Sequence, residues 1–477
     1  MTVSSPQSSE KKTTPIGEQR ASPRNIALWT TYDIANTIFS MGIVSVTILR
    51  FVQLQGMKEG LSYSVANFLG HAAVAASNII VALLMPILGA VADTSGKRKP
   101  WTVLFGALTI LLTGMVFLLS NVYLAIALFI LANITYQGGN LFYDAMIPYI
   151  CASDEVGKVS AVGVALGYFG SFLALGLWFL ALGLFGDPTE IETARDMVDL
   201  GTYGGIELNA LLWMWPLCAL GFLVIMVPFF WTRERRSREE RSAIEALRTS
   251  LQELLDTAKK IRRDRDMLLY TLGWLLCVDV VNTVIAEMLK VAHEGFGMDE
   301  TEGTILLFIG VASATGLTYF IGPVCDRNGP KFAFKMVCTT WFLGLLIAIL
   351  AEPVEGNVTW FTSVLPNFTL YIMAVMVGFA MGATWVAGRQ MVIELAPPDD
   401  VGQYFGFNRL AGKGTSAIGI LVFGAVISVF SEIYSLAYTY KIAIAAMALI
   451  YLCGFALIML VRDWHEEFVS GRRAPYL

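Results

Sequence analysis

The sequence predicts an all-α, polytopic membrane protein of about twelve transmembrane helices, built as two six-helix halves. Three observations predict it. The first is composition. Of the 477 residues, 56% are hydrophobic and only 15% are charged, against about 45–50% and about 25% in soluble domains. The second is the segregation of Lys and Arg between alternate loops. The third is a set of features that recurs in the same order in both halves.

The elements follow in order from span-length apolar runs. Residues 1–25 are rich in Ser, Thr, Pro and Lys and have no apolar core, so they read as a disordered cytoplasmic tail and not a signal peptide. Runs at 26–50, 66–92, 101–119, 122–148, 158–185 and 208–231 give a first bundle over 26–231. Runs at 267–290, 303–325, 332–351, 366–395, 404–430 and 437–461 give a second over 267–462, followed by a tail, 463–477. Gly163 with Gly167, and Gly378 with Gly382, suit close helix approach. Trp29 and Trp101 stand near span ends, where indole rings anchor at the interface. The segment 232–266 separates the bundles. Ile244, Leu247, Leu251, Leu254, Ala258 and Ile261 fall at helical spacing there, which reads as a basic amphipathic helix on the inner leaflet. The alternative is a linker helix packed on its own bundle. The loop 186–207 is acidic and reads as a solvated cap.

Sidedness follows from the basic residues. With the N-terminus in the cytoplasm, 27 of the 33 Lys and Arg fall on that side, eleven of them between 233 and 265. Both termini are therefore expected inside. The plasma membrane is the default location, with a vacuolar membrane the alternative in a eukaryotic source.

The internal repeat is legible in three places. Asp33, Asn36 and Thr37 match Asp279, Asn282 and Thr283. Asp154, Val156 and Gly157 match Asp399, Val401 and Gly402. The loop between the second and third runs has Gly89, Asp93, Gly96, Lys97, Arg98 and Lys99. Its degenerate copy has Gly322, Asp326, Arg327, Gly329 and Lys331, with Pro330 in place of a base. This loop signature, duplicated, resembles that of the major facilitator superfamily. The resemblance implies the major facilitator fold, with a central cavity between the halves and the loops acting as gating latches, Asp93 capping the next helix or meeting a base on a neighbouring span.

Charges inside hydrocarbon cost about 2.5–3.5 kcal/mol each on insertion scales, so they should face a wet cavity or one another. Spans one, four, seven and ten carry Asp33, Asp144, Asp279 and Arg389, and in the fold implied by the resemblance those four line the cavity. Span eleven adds Arg409 and Lys413, at i and i+4 on one face. With Asn36 and Asn282, these are the candidate substrate or ion-pathway residues. Asp33 or Asp279 would take a coupling proton, and Arg389, Arg409 or Lys413 a substrate carboxylate or phosphate. Alternatively Asp144, Arg389 and Glu394 pair across the halves as an inner gate.

Other chemistries find no support. The six cysteines form no CxxC pair and the histidines at 71, 293 and 465 are scattered, so no metal or disulfide framework is expected. The stretch Gly406 to Gly414 approaches a P-loop but lacks the closing Ser or Thr and a preceding strand. His293-Glu294 lacks the second His of a zinc protease. No nucleophile–base pair marks an enzyme, and no cofactor or nucleic-acid partner is expected.

The chain further resembles the autophagy-related vacuolar effluxer-like family. Four stretches carry this: Trp29 to Asn36; Gly89 to Trp101; Asn140 to Pro148 running on through Gly157 to Ser160 and Gly167-Tyr168; and Tyr404 to Ser416. Two features depart from the family pattern: Asp144 stands where the family often has Asn, and Gly382 to Trp385 replaces a Gly-Gly-x-Gln run. The reading is a secondary transporter of a small polar solute working by alternating access, with amino acids first by the resemblance. Without an ATP site its energy would come from a proton or substrate gradient, with proton coupling favoured, and a monomer is expected. The alternatives are another organic anion or a drug-like solute, or a non-transporting sensor or scaffold on the same fold.

Overall fold

The computed structural model describes residues 20–94, 96–118, 121–186, 208–235, 258–298, 300–351, 368–397, 400–414, 416–431 and 433–470. Over these residues the regular structure is helical throughout. The tail 1–19, most of the acidic loop, and the amphipathic stretch 236–257 lie outside the described residues.

Ten helices among the described residues are long and apolar enough to cross a membrane. The first half holds α1 (Pro23–Lys58), α2 (Tyr63–Thr94), α3 (Lys99–Val116), α4 (Val122–Ala145), α5 (Val156–Phe185) and α6 (Leu208–Met226). The second half holds α7 (Arg265–Lys290), α8 (Glu300–Leu317), α9 (Ile321–Leu350), α10 (Phe368–Leu395), α11 (Val401–Gly414), α12 (Ser416–Phe430) and α13 (Leu436–Met459), followed by the short α14 (His465–Val469).

Local chemistry sets the ends. Ser22 caps α1 by accepting from the Asn25 N–H, with Pro23 in the first turn, where its missing N–H costs nothing. Asn121 and Asp264 cap α4 and α7 in the same way.

One pair of spans differs from expectation. The eighth and ninth form one helical rod, Ile305–Leu350, bent where Gly329 adopts φ 80° and Pro330 follows. Glycine meets little penalty at positive φ, and proline is tolerated only at the start of the helix beyond. That bend separates two crossings. On the eleventh span, α11 and α12 lie either side of position 415, which is outside the described residues. Counted as two crossings, the Ile305–Leu350 rod brings the ten to eleven, and the span carrying α11 and α12 makes twelve.

Large apolar side chains such as Phe68, Leu83, Leu118, Leu184 and Leu421 are exposed, as suits a surface facing hydrocarbon. Trp29 corrects the sequence reading. It is fully buried and stacks on Tyr143 at 4.3 Å between centroids, so it is a packing residue and not an interface anchor.

The halves meet along two seams. α2 packs on α11, and α5 packs on α8 and α9. Glycine makes the first contact close. A Cβ at Gly89 would lie 2.9 Å from Gln403 Cα, and one at Gly406 would lie 2.6 Å from the Met85 carbonyl oxygen.

Candidate functional site

A charged network joins the halves. α1 supplies Asp33 and Asn36, and α4 supplies Gln137, Asn140 and Asp144. α10 supplies Arg389 and α11 supplies Arg409. Gln137, Asn140 and Asp144 stand at i, i+3 and i+7, on one face of α4. Arg389 places Nε 3.0 Å from Asp144 Oδ1 and Nη2 3.6 Å from Asp33 Oδ2. Arg409 donates to the other Asp144 oxygen and, at 3.4 Å, to Gln137 Oε1. Asn36 Nδ2 donates to Asp33 Oδ1 at 3.3 Å and to Asn140 Oδ1 at 2.5 Å. The Tyr143 ring lies beside Arg389, 5.9 Å from the guanidinium carbon.

Every ion pair here takes its acid from the first half and its base from the second. Both acids are buried, and mutual neutralisation offsets the cost of holding charge in a dry interior. The lining is rich in donors. Arg389 Nη1, Arg409 Nε, Tyr32 Oη, Tyr143 Oη and Trp29 Nε1 have no hydrogen-bond acceptor among the described residues.

Asp279 sits apart, on α7 and 2% exposed. Its carboxylate lies against α12, where a Cβ on Gly419 would come 2.9 Å from Oδ2. Oδ1 has no hydrogen-bond partner, and no base pairs with Asp279 among the described residues. Asn282 is half-buried one turn on. Neither joins the network, and Lys413 stands on α11 with its side chain outside the description.

Two latches flank the network on the loop face. Gly89 and Asp93 are one turn apart on α2. The Asp93 carboxylate accepts from the Gly402 and Gln403 N–H groups, at 2.6 and 2.7 Å, at the start of α11. In the repeat, Asp326 accepts from the Gly157 and Lys158 N–H groups, at 2.6 and 2.8 Å, at the start of α5. A helix start carries unpaired N–H groups and partial positive charge, so a carboxylate there satisfies both. Each half thus caps a helix of the other, and Asp93 caps not the next helix but one across the seam.

The bases behind the motif are divided in role. Lys97 is exposed. Arg98 is buried, its guanidinium 3.7 Å from the Tyr149 ring centre. Lys99 donates to the carbonyls of Phe230 and Thr232, and Lys331 to that of Val461. Arg327 is exposed. Gly96 is buried in the turn, and Gly322 packs against Ala161. Glu394 departs from the expected cross-half pairing. Its partner is His465 of the same half, Nδ1 to Oε1 at 2.8 Å.

Residues 21–463 match the family described as vacuole effluxer Atg22-like. The chain belongs to that family. Its relatives include the MFS-type transporter YxiO of Bacillus subtilis, 24% identical over 93% of this chain and 96% of that protein. Autophagy-related protein 22 of Yarrowia lipolytica is 25% identical over 57% of this chain and 45% of that protein. Among solved structures, the human organic anion transporter MFSD10 superposes with a TM-score of 0.61 at 14% identity, over 92% of this chain and all of that one. The proton:xylose symporter XylE gives 0.60 at 15%, over 94% and 98%. The fold is therefore the major facilitator fold, and this Atg22-like protein is an integral membrane transporter and not an enzyme.

Sequence reasoning missed Gln137, Tyr143 and His465 in the surroundings of these charges. The i, i+3, i+7 spacing on α4 could have found Gln137. Tyr143 stood inside a quoted motif, but nothing there singled it out. His465 carries no local signal, because its partners are 71 and 139 residues away in sequence.

Proposed function

We propose that this Atg22-like transporter carries a small zwitterionic solute, an amino acid first, by alternating access, and that a proton drives it. The observation that carries the reading is the network of Asp33 and Asp144 with Arg389 and Arg409. Each pair is split between the halves, so opening the seam must replace it. A zwitterion can do so: its ammonium takes the place of a guanidinium at an aspartate, and its carboxylate takes the place of an aspartate at a guanidinium. The loop face with Asp93 and Asp326 is then cytoplasmic, as the basic-residue count argues, and the arrangement is one with that face shut.

Asp279 is the better proton carrier. Asp33 has Arg389 beside it, whereas Asp279 pairs with no base among the described residues. A buried acid without a counter-charge is the one whose protonation state is free to alternate. A second reading, an organic anion, draws support from the guanidinium nitrogens that lack acceptors.

Uptake of labelled amino acids and organic anions into proteoliposomes, with and without an inward proton gradient, tests this. Saturable amino-acid uptake stimulated by the gradient is expected. Asp279→Asn should abolish the stimulation and spare exchange of internal for external solute. Uptake of anions alone would replace the zwitterion reading with the second. Unchanged gradient dependence in Asp279→Asn would remove Asp279 as the carrier.

A further inference from the structure

The two latches are not chemically equal. In the first, the loop at 97–99 is held by a carboxylate and an arginine. Glu234 accepts from the Arg98 and Lys99 N–H groups, each at 2.8 Å, and Arg98 donates to Tyr149 Oη at 2.9 Å. Arginine keeps its charge at every physiological pH. In the second, the repeat counterpart of Tyr149 is Glu394, and what it meets is a histidine.

His465 is held between two acceptors. Its Nδ1 lies 2.8 Å from Glu394 Oε1 and its Nε2 lies 3.0 Å from the Asp326 backbone oxygen. A neutral imidazole has one N–H, so either tautomer turns a lone pair toward an oxygen. Both bonds form only when the cluster holds one proton more than a neutral ring and an ionised Glu394. The surrounding groups do not supply it. Gln390 Nε2 already donates to Glu394 at 2.9 Å. The Asp326 carboxylate is committed to Gly157 and Lys158. Asp463 beside the ring on its own segment is acidic, as are Asp154 and Glu155 on the 153–155 segment packed against α14. Gly329 leans on the ring as well, since a Cβ there would come 2.8 Å from His465 Cβ. The loop that carries Asp326 therefore rests on this side chain.

We propose that His465 is a positioning residue that makes the second latch pH-sensitive: its imidazolium holds the Asp326 loop against α5, and loss of that proton releases the loop. This rests on the alternating-access reading but not on the identity of the solute. The sign follows from the partners. Burial alone disfavours the charged ring, but the Glu394 hydrogen bond and charge and the Asp326 carbonyl outweigh it, and His465 titrates above its ordinary value. A raised histidine gives its full contribution below the unperturbed pKa of about 6.5 and loses it as pH climbs through the raised value. Acid tightens this latch and alkali loosens it.

Distances between spin labels in nanodiscs, where both faces meet the same buffer, test the proposal without any solute. Cysteines at Lys158 and Asn328, both exposed, span the second latch, and at Lys97 and Arg262 the first, with Cys453→Ser removing the exposed native thiol. Between about pH 6 and pH 8.5 the long-distance population across the second latch should rise roughly tenfold, the size of one charge-assisted hydrogen bond. His465→Gln should show the long population at both pH values and His465→Lys the short one. A wild-type distribution independent of pH, or an unchanged pH response in His465→Gln, overturns the proposal. If the variants do not fold, the pH response of the second latch in the wild type decides it.

Discussion

At Arg389 one side chain answers both buried acids of the network. Its guanidinium serves Asp144 with Nε and Asp33 with Nη2, a two-sided contact that a lysine cannot copy. Arg389→Ala leaves Asp33 buried with no base and Asp144 with Arg409 alone. Breaking a buried pair from one side costs about 3–5 kcal/mol, so the thermal unfolding midpoint should fall by several degrees at a fixed heating rate. Adding Asp33→Asn should recover part of the loss, because it removes the stranded charge. Arg389→Lys should fall between. Equal midpoints for wild type and Arg389→Ala would mean that water, not Arg389, solvates these acids. Asp144 and Arg389 could be set opposite each other from the sequence because both break long apolar runs at repeat-equivalent positions. Glu394 could not be placed correctly. It looks like another member of the same set, and only the folded chain brings His465 to it. Trp29 fails for a related reason: its position at a span end suggests the interface, while the buried Tyr143 ring decides the matter.

Among the helices, α2 and α11 show why the loop motif spaces Gly and Asp four apart. Gly89 lets the backbones touch, and one turn later Asp93 reaches the Gly402 and Gln403 N–H groups from the same face. A leucine at Gly89 has no room without parting the helices. Gly89→Leu should therefore expose those two N–H groups, and hydrogen exchange in peptides covering 400–406 should speed up by tenfold or more, about the worth of a lost cap. Exchange at the start of α5, under the other latch, should stay as it was. Slow exchange at both sites in Gly89→Leu would show that the glycine is not what sets the approach. Most helices were legible from hydropathy because a span must be long and apolar. The wide π-helical turn at Ser40–Thr47 inside α1 was not. It is a change of winding within an unbroken apolar run, and apolar content does not record winding.

For the molecule as a whole, the two latches raise the question of whether the halves move as rigid bodies. Asp93 and Asp326 close the same face from opposite seams, each holding a helix start with two hydrogen bonds. If the halves rock as units, both latches bias a single open–shut equilibrium, and the losses add because the sites share no partner. Asp93→Asn keeps the shape but removes the charge that answers the helix start, worth about 1–2 kcal/mol in a partly buried setting. Each single variant should then raise the open population on this face roughly tenfold, and the double variant with Asp326→Asn roughly a hundredfold. Both label pairs, Lys158 with Asn328 and Lys97 with Arg262, should report the same populations in every variant. Seams that open separately would give a different pattern: Asp93→Asn would lengthen only the Lys97–Arg262 distance and Asp326→Asn only the other. That second pattern would recast the protein as a pair of flexible gates on a fixed frame. It would also confine any titration of His465 to one gate, whereas rigid halves would transmit it to both.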